Sequence, residues 1–445
     1  MWLIALLLMP AGVTGAAARG GFSFIRDAEI ENTIRLYGAP LFAAAGLSPD
    51  AVRVHLINDK GLNAFVAGGQ NIFINTGLLM AADTPNQVIG VIAHETGHIA
   101  GGHLARSLDA IQDASAQSLL AFLLGAAVMV GGGGAAGGAI IAGGTQVAQR
   151  SFLQYSRTQE SAADQAGLRF LDETQQSGIG LYGFLEKLGD QEALLATSQD
   201  PYVRTHPLTR ERLAAIKFHV DKSPYTGKTD PPALVARHDR MVAKLHGFLD
   251  SPAQTMKRYP ESDTSVPARY ARSVAHHQRR EDDKAVALVD SLLAEQPDDP
   301  FFHELRGQIL LESGRIDDAV PSYQRAVELA PNEALLRVGL GQAQVSVQSD
   351  RYVKDAIENL NAAIRVDRSN IGAWRWLAMA YGRDDQIGEA SLATAERYML
   401  AGRFREAGGQ ADRATKLLPA GSPGALRAED IKQAAESAQK KREDR

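Results

Sequence analysis

Residues 91–103 read VIAHETGHIAGGH and place three histidines and one glutamate within ten positions. The surrounding run PNQVIGVIAHETGHIAGGHLARSLDAIQ, residues 85–112, has apolar residues at helical spacing and begins with a proline, which is common in the first turn of a helix. The sequence therefore predicts that these histidines lie on one helix with an apolar side.

The motif H-E-x-x-H within this stretch has the spacing of a metal site. His94 and His98 are four residues apart, so both imidazoles project from one helix face and can bind the same zinc ion. Glu95 lies beside the first histidine, where it can take a proton from water and pass it to a leaving amine. The alternative is a solvated helix face, but the apolar residues 88–93 favour burial, which is costly without a metal.

A catalytic zinc ion needs a third protein ligand, and two candidates are present. His103 follows His98 by five residues, a rotation of about 500° that takes it off the shared face, so we expect a structural or supporting role for it. The segment SRTQESAAD, residues 156–164, offers Glu160 on a second predicted helix. Asp164, one turn later, can accept the free ring N–H of a metal-bound histidine.

The composition is that of a globular protein with two or three domains. The 445 residues carry a net charge of −5, which gives no sign of a nucleic-acid-binding surface. The chain has no cysteine, which excludes disulfides, thiolate zinc sites, cysteine nucleophiles and a lipoprotein anchor.

Residues 1–18 have the pattern of a secretory signal peptide. Their apolar core, residues 2–9, is too short to span a bilayer, and small residues follow at 16–18 in an A-x-A arrangement. The alternative is a buried N-terminal helix, but Arg-Gly-Gly at 19–21 continues a helix poorly.

Residues 114–149 carry no charge and divide into an apolar part and a glycine-rich part. The apolar block is shorter than the roughly 20 residues that a transmembrane helix needs. Two interpretations remain open: a buried hairpin that packs on the protein, or a peripheral contact with a membrane surface.

The residues before the histidine motif predict a helix followed by a small sheet. Residues 22–50 have helical periodicity, and three short runs with strand character follow at 52–59, 63–69 and 71–75. We therefore predict a mainly α protein whose first domain, residues 22–220, is α+β.

From residue 266 onward the sequence repeats with a period of about 34 residues. One repeat matches the tetratricopeptide pattern at Gly307, Ala319, Tyr323, Ala326 and Pro331. Three other repeats are more degenerate. We predict an all-α repeat solenoid over residues 263–421, preceded by a linker and bridging helix at 221–262 and followed by a charged tail at 422–445.

Four segments together resemble the zinc peptidase family that includes the CAAX prenyl endopeptidase. They are H-E-x-x-H, the downstream S-R-x-x-E-x-x-A-D, NAFVAGGQNIFINTGLL at 63–79 and HPLTRERL at 206–213. With its predicted signal peptide and repeats, the chain is similar to the periplasmic branch of that family. The resemblance implies a zincin-like metalloprotease domain followed by a tetratricopeptide-repeat solenoid.

The resemblance also implies roles for individual residues. One zinc ion per chain would be bound by His94, His98 and Glu160, with Glu95 as the base. The strand that carries Asn71, Ile72, Phe73 and Ile74 would be the sheet edge on which a substrate backbone pairs, a mode that its apolar alternation also fits.

His206 and Arg212 belong to the last of the four segments. His206 precedes a proline, which favours an extended backbone and suits a loop histidine that reaches into a site. It could stabilise the oxyanion of the tetrahedral intermediate or occupy the open zinc position and hold the enzyme off; a surface-loop histidine is the third alternative. Arg212 is expected to pair with a carboxylate such as Asp164.

These patterns support two hypotheses about function. In the first, the chain is a zinc endopeptidase in the periplasm of a Gram-negative bacterium, and its repeats recruit protein or peptide substrates or outer-membrane assembly machinery. In the second, the repeats act as a chaperone or adaptor and the zinc site is latent. An integral membrane protease would need membrane spans that the sequence lacks.

Overall fold

The computed structural model describes residues 23–103, 157–194, 206 and 208–443. The predicted signal peptide and the uncharged segment at 114–149 lie outside these residues. Contacts divide the chain into two compact units, of which the first contains Glu31–Val242 and the second contains Asp27–Ile30 and the residues from Ala243 onward. This division falls inside the predicted linker and bridging helix, and the finer domain boundaries stay a prediction.

The first unit contains a sheet of four described strands. These are β1 (Phe24–Ile25), β2 (Arg53–Ile57), β3 (Ala64–Ala67) and β4 (Asn71–Asn75), arranged in the order β1-β2-β4-β3. β4 pairs parallel with β2 and antiparallel with β3. Ile72 and Ile74 on β4 are fully buried, whereas Asn71 and Phe73 alternate with them on the other face.

The strand order corrects one prediction. The strand with Asn71, Ile72, Phe73 and Ile74 was expected at the sheet edge, but β4 has a paired strand on both sides and its backbone groups are already used. Among the described strands, the edge next to β4 is β3, because the chain returns from β3 to β4 as a hairpin and inserts β4 beside β2. Of these strands, β3 is the one along which a peptide can add to that side of the sheet.

The first unit also contains the helix that carries the histidine motif and several others. They are α1 (Ala28–Ala44), whose first residues belong to the second unit, α2 (Thr76–Ala81), α3 (Pro85–Ala100), α4 (described over residues 157–173), α5 (Ile179–Leu194) and α6 (Arg210–Lys222). The predicted helix that carries the histidines is α3, with Pro85 in its first turn as expected. No described helix is apolar over a stretch long enough to cross a membrane.

The remaining helices form the repeats of the second unit. They are α7 (Pro232–Leu249), which crosses the division between the units, α8 (Pro252–Arg258), α9 (Val266–Gln278), α10 (Asp282–Glu295), α11 (Pro300–Glu312), α12 (Ile316–Leu329), α13 (Ala334–Ser346), α14 (Val353–Val366), α15 (Ile371–Arg383), α16 (Ile387–Leu400), α17 (Phe404–Leu417) and α18 (Pro423–Glu443).

Small residues let the paired repeat helices approach closely. A side chain at Gly307 on α11 would lie 2.7 Å from the ring of Tyr323 on α12, and Ala319 and Ala326 on α12 are fully buried. The mainly α fold class, with a small sheet in the first unit and helical repeats in the second, is therefore confirmed.

The C-terminal residues, predicted to be a charged and frayed helix, form the helix α18. Ile431 and Ala435 on this helix pack with Ala407 and Ala411 on α17. The apolar residues recur at helical spacing among many charges, so one face of the helix is packed against its neighbour.

Candidate metal centre

Close helix packing brings the two halves of the candidate site together. A side chain at Gly97 on α3 would lie 2.6 Å from the backbone oxygen of Ala163 on α4, and one at Gly167 would lie 2.9 Å from the backbone of Ala93. The absence of side chains at these two glycines therefore lets α4 lie directly against α3. This contact places Glu160 opposite the two histidines of the motif.

Four side chains converge on one point in the first unit. They are His94, His98, Glu160 and His206, and one potential ligand atom from each lies within 4.8 Å of the others. The Nε2 atoms of His94 and His98 are 3.1 Å apart, and Glu160 approaches them at 3.4 and 3.3 Å. The Nδ1 atom of His206 is 3.1 Å from Glu160 and 3.4 Å from His94 Nε2.

Asp164 and Arg212 flank this cluster. Asp164 Oδ1 lies 2.8 Å from His94 Nδ1, and Arg212 binds both oxygens of Asp164 at 2.7 and 2.9 Å. The arginine also contacts Glu160 Oε2 at 3.0 Å, a contact that the sequence did not suggest. Arg212 is held at the start of α6, where its backbone N–H donates to the Thr209 hydroxyl, so it links both carboxylates to α6.

Glu95 lies within the same buried region, but it differs from the other carboxylates. It is 0% exposed, and among the described residues neither of its oxygens has a hydrogen-bond partner. Its Oε1 lies 3.5 Å from His206 Nε2. An ionisable group buried without partners is costly, so this position favours a role in chemistry over a role in packing.

The other ring nitrogens of His98 and His206 have partners of their own. His103 Nδ1 lies 3.0 Å from His98 Nδ1, and His206 Nε2 lies 3.2 Å from the backbone oxygen of Ala64 on β3. The Ala64 contact could not be foreseen from a motif, because it joins residues that are far apart in the sequence.

The electrostatics keep the cluster ready for a cation. Burial alone would raise the pKa of Glu160, but His206, His94 and His98 hold it well below its ordinary value. Burial also opposes ionisation of Asp164, yet Arg212 and His94 lower the pKa of that carboxyl. Both carboxylates therefore stay ionised in a site that is almost closed to water.

The two histidines of the motif respond in opposite directions. Burial lowers the pKa of His94, but the nearby carboxylates of Asp164 and Glu160 outweigh burial and raise it to about 10. The pKa of His98 falls below its ordinary value because burial dominates there. The carboxylates thus favour a positive charge at His94, whether it is a proton on the ring or a metal ion at Nε2.

Comparisons with known proteins agree with this arrangement. Residues 27–219 match the family model of peptidase family M48, and residues 300–333 match a tetratricopeptide repeat. The beta-barrel assembly-enhancing protease of Yersinia pestis is 25% identical over 413 residues, which cover 91% of this chain and 83% of that protein. The protein of the same name in Escherichia coli K12 is 25% identical over 87% of this chain and 79% of its own length.

A more distant relative matches a smaller share of the chain. The mitochondrial metalloendopeptidase OMA1 of Schizosaccharomyces pombe is 25% identical over 180 residues, 40% of this chain and 49% of that protein. These matches and the convergent histidine and glutamate side chains show a metallopeptidase domain that matches peptidase family M48 over residues 27–219, followed by tetratricopeptide repeats.

Proposed function

We propose that the chain is a zinc-dependent endopeptidase of the cell envelope that cleaves protein substrates. The observation that carries this proposal is the buried set of His94, His98 and Glu160 with Glu95 beside it. Imidazole and carboxylate ligands suit zinc, and a set of two histidines and one glutamate is typical of catalytic zinc in peptidases.

The spacing of the side chains supports zinc as the metal. A tetrahedral zinc site with ligands at about 2.0–2.1 Å has edges of roughly 3.3–3.4 Å between ligand atoms. The distances among His94 Nε2, His98 Nε2 and the Glu160 oxygens are 3.1, 3.4 and 3.3 Å. Glu160 makes these contacts with different oxygens, Oε2 to His94 and Oε1 to His98, so the three side chains lie within reach of one zinc ion.

Glu95 is the proposed general base. When bound, the zinc ion would polarise the scissile carbonyl and activate a water molecule for attack. The Glu95 carboxylate is buried and free of hydrogen bonds to described residues, so it can take the proton of the attacking water and deliver it to the leaving amine. Asp164 keeps the proton of His94 on Nδ1, which leaves Nε2 free to bind the metal.

We propose that His206 holds the resting enzyme inactive. Its Nδ1 lies 3.1 Å from Glu160 and 3.4 Å from His94, which is the position of a fourth ligand, and its Nε2 contacts the Ala64 carbonyl on β3. A substrate needs both that ligand position and that strand. His206 must therefore move before cleavage, and its other proposed role, oxyanion stabilisation, applies only to the displaced state.

The substrate strand is proposed to pair with β3 instead of β4. In the antiparallel pair of β3 and β4, Phe65 lies opposite Phe73. The Asn75 N–H donates to the Asn63 C=O, so every second residue of β3 from Asn63 onward, including Phe65, bonds to β4. The alternation then directs the backbone groups of Ala64 and Val66 away from β4, toward the outer edge. A peptide added there lies beside His206 and the metal ligands.

The envelope assignment and the partners are also proposals. The relatives that cover most of this chain are named beta-barrel assembly-enhancing proteases, which supports a periplasmic role in outer-membrane protein assembly and quality control. The repeats offer a surface to recruit substrates or assembly machinery. A peripheral membrane contact through residues 114–149 stays a prediction, since that segment lies outside the described residues.

The proposal is tested with purified wild type and Glu95→Gln on an unfolded protein such as casein. We expect Glu95→Gln to lose on the order of 10²–10⁴-fold in cleavage rate while it retains its zinc ion. Glu173→Gln, an exposed glutamate on α4, is the matched control and should cleave normally. Cleavage by Glu95→Gln at the wild-type rate would refute the proposal.

The adaptor alternative is separated by the same variant in cells. If the repeats alone carry the function, a Glu95→Gln allele returns a deletion strain to the wild-type phenotype. If proteolysis carries the function, the allele fails to restore the wild-type phenotype although the variant protein accumulates normally.

A further inference from the structure

The two histidines of the metal centre are held by different partners. Asp164, fixed by Arg212, contacts the outer ring nitrogen of His94. The outer nitrogen of His98 instead faces another imidazole, because His103 Nδ1 lies 3.0 Å from His98 Nδ1. His103 is 5% exposed, so this contact is shielded from water.

If His98 binds a metal, the metal determines which of the two rings, His98 or His103, donates the hydrogen bond between them. The Nε2 atom of His98 faces His94 and Glu160 at 3.1 and 3.3 Å, so its lone pair is the one available to the metal. The proton of His98 must then be on Nδ1, which donates. His103 Nδ1 must accept, and the proton of His103 is therefore on its Nε2.

The end of α3 is shaped to bring His103 back over the helix. Gly102 has a φ of +61°, a left-handed conformation that reverses the chain immediately after the helix. A side chain at Gly101 would overlap the His103 ring, coming within 2.7 Å of its Cδ2. Two glycines thus provide the turn and the space that the ring needs.

His103 is also tied to the helix that carries the third ligand. Its backbone oxygen accepts a hydrogen bond at 3.3 Å from the side chain of Gln159, the residue before Glu160. The ring of His103 therefore contacts the histidine side of the centre, while its backbone contacts the glutamate side.

We propose that His103 is a positioning residue that fixes the tautomer and ring orientation of His98 for metal binding. This inference rests on the proposed metal centre and extends it, since His103 acts through His98 and does not itself bind the metal. It also explains why Gly101 and Gly102 precede His103.

The test measures the zinc dissociation constant of folded full-length variants by competition with a chromogenic chelator. His103→Leu removes the acceptor at similar size, and we expect about 10–100-fold weaker binding. His103→Asn keeps an acceptor near the Nδ1 position and should bind more tightly than His103→Leu. Gly101→Ala retains the His103 residue but occupies the space of the His103 ring, and the φ of −73° at Gly101 accepts alanine. This variant should therefore also bind zinc more weakly.

A matched control separates this role from general packing. His238 is another histidine of the first unit that is 1% exposed, and its Nε2 lies 2.9 Å from the Ala82 carbonyl. His238→Leu should lose stability and keep wild-type zinc affinity. Wild-type affinity in both His103→Leu and Gly101→Ala, or equal losses in His103→Leu and His103→Asn, would overturn the inference. A wild type that binds no zinc would instead refute the proposed function on which it rests.

Discussion

Each unit of the protein buries a cluster of charged side chains, and the two clusters are built around different centres. In the first unit, His94, His98 and Glu160 direct lone pairs toward one point. In the second unit, the Lys244 ammonium lies at 2.7 Å from Asp27 and 3.3 Å from Glu29. One cluster is arranged for a cation from solution, whereas the other already contains its cation.

This difference separates a candidate metal centre from a structural ion cluster. Both clusters are buried, and both contain several carboxylates. Lys244 cannot leave its cluster, and its nearby carboxylates raise its pKa well above the ordinary value although burial opposes this. In the first unit Arg212 contacts Asp164 and Glu160 from one side and leaves the histidine nitrogens facing one another.

The largest effect is expected from removal of the lysine. Lys244→Met leaves buried carboxylates without their cation, and we expect a loss of about 3–5 kcal/mol in the free energy of unfolding of the second unit. The measurement is urea denaturation followed by the fluorescence of Trp374 and Trp376, which both lie in that unit. Zinc content should not change.

A double variant sharpens that prediction. Asp27 is the closest carboxylate to Lys244, at 2.7 Å. Lys244→Met with Asp27→Asn removes that uncompensated carboxylate and should recover part of the lost stability. If Lys244→Met alone were neutral, the second cluster would not depend on its internal cation.

Metal removal should act on the other unit. On the proposed function, zinc binds the folded centre and not the unfolded chain, so a free zinc concentration 100 times the dissociation constant should stabilise the fold by about 2.7 kcal/mol. A chelator should therefore lower the melting temperature of the first unit in calorimetry and leave the fluorescence transition of Trp374 and Trp376 unchanged. If the chelator changed the fluorescence transition alone, the metal would be bound in the second unit and the proposed centre would be wrong.

A smaller effect is expected for Asp164→Asn. This change keeps the shape of the residue but removes the charge that holds His94 Nδ1–H and pairs with Arg212. We expect zinc affinity to fall by about 10–100-fold, measured by chelator competition. Asp172→Asn, on the same helix but bonded to His219, is the control and should keep wild-type affinity.

A further effect is a change in the pH dependence of the stability of the second unit. Burial raises the pKa of Glu304 from 4.5 to about 8, even though Lys244 opposes this. Between these pH values the folded state holds a proton that the unfolded state has lost, so stability falls as pH rises through this window. Glu304→Gln should flatten that fall in urea denaturation at pH 5 to 8. Exposed Glu328→Gln should retain it, and an unchanged slope in Glu304→Gln would contradict the assignment.

The sequence predicted those parts of the centre that depend on local spacing. The separation of His94 and His98 by four residues is enough to place both on one helix face. The small residues around Glu160 favoured close packing of α4, and Gly97 and Ala163 provide the contact. The family, the fold class and the metallopeptidase domain followed in the same way from motifs and repeats.

Strand order and long-range contacts could not be predicted. β3 and β4 have similar apolar alternation, and only the pairing of β4 with β2 decides which of them lies at the edge. The rotation argument for His103 assumed a continuing helix, but α3 ends at Ala100 and Gly102 turns the chain back toward His98. The second cluster left no motif, because Asp27 and Lys244 are separated by most of the first unit.

The most direct measurement is the zinc content of purified wild type and Glu160→Gln by mass spectrometry of the metal. The centre described here predicts one zinc ion per wild-type chain and a strongly reduced content in Glu160→Gln, because Glu160 supplies the third ligand. Zinc-free wild type, or a full equivalent retained by Glu160→Gln after dialysis against chelator, would contradict the assignment of His94, His98 and Glu160 as the metal centre.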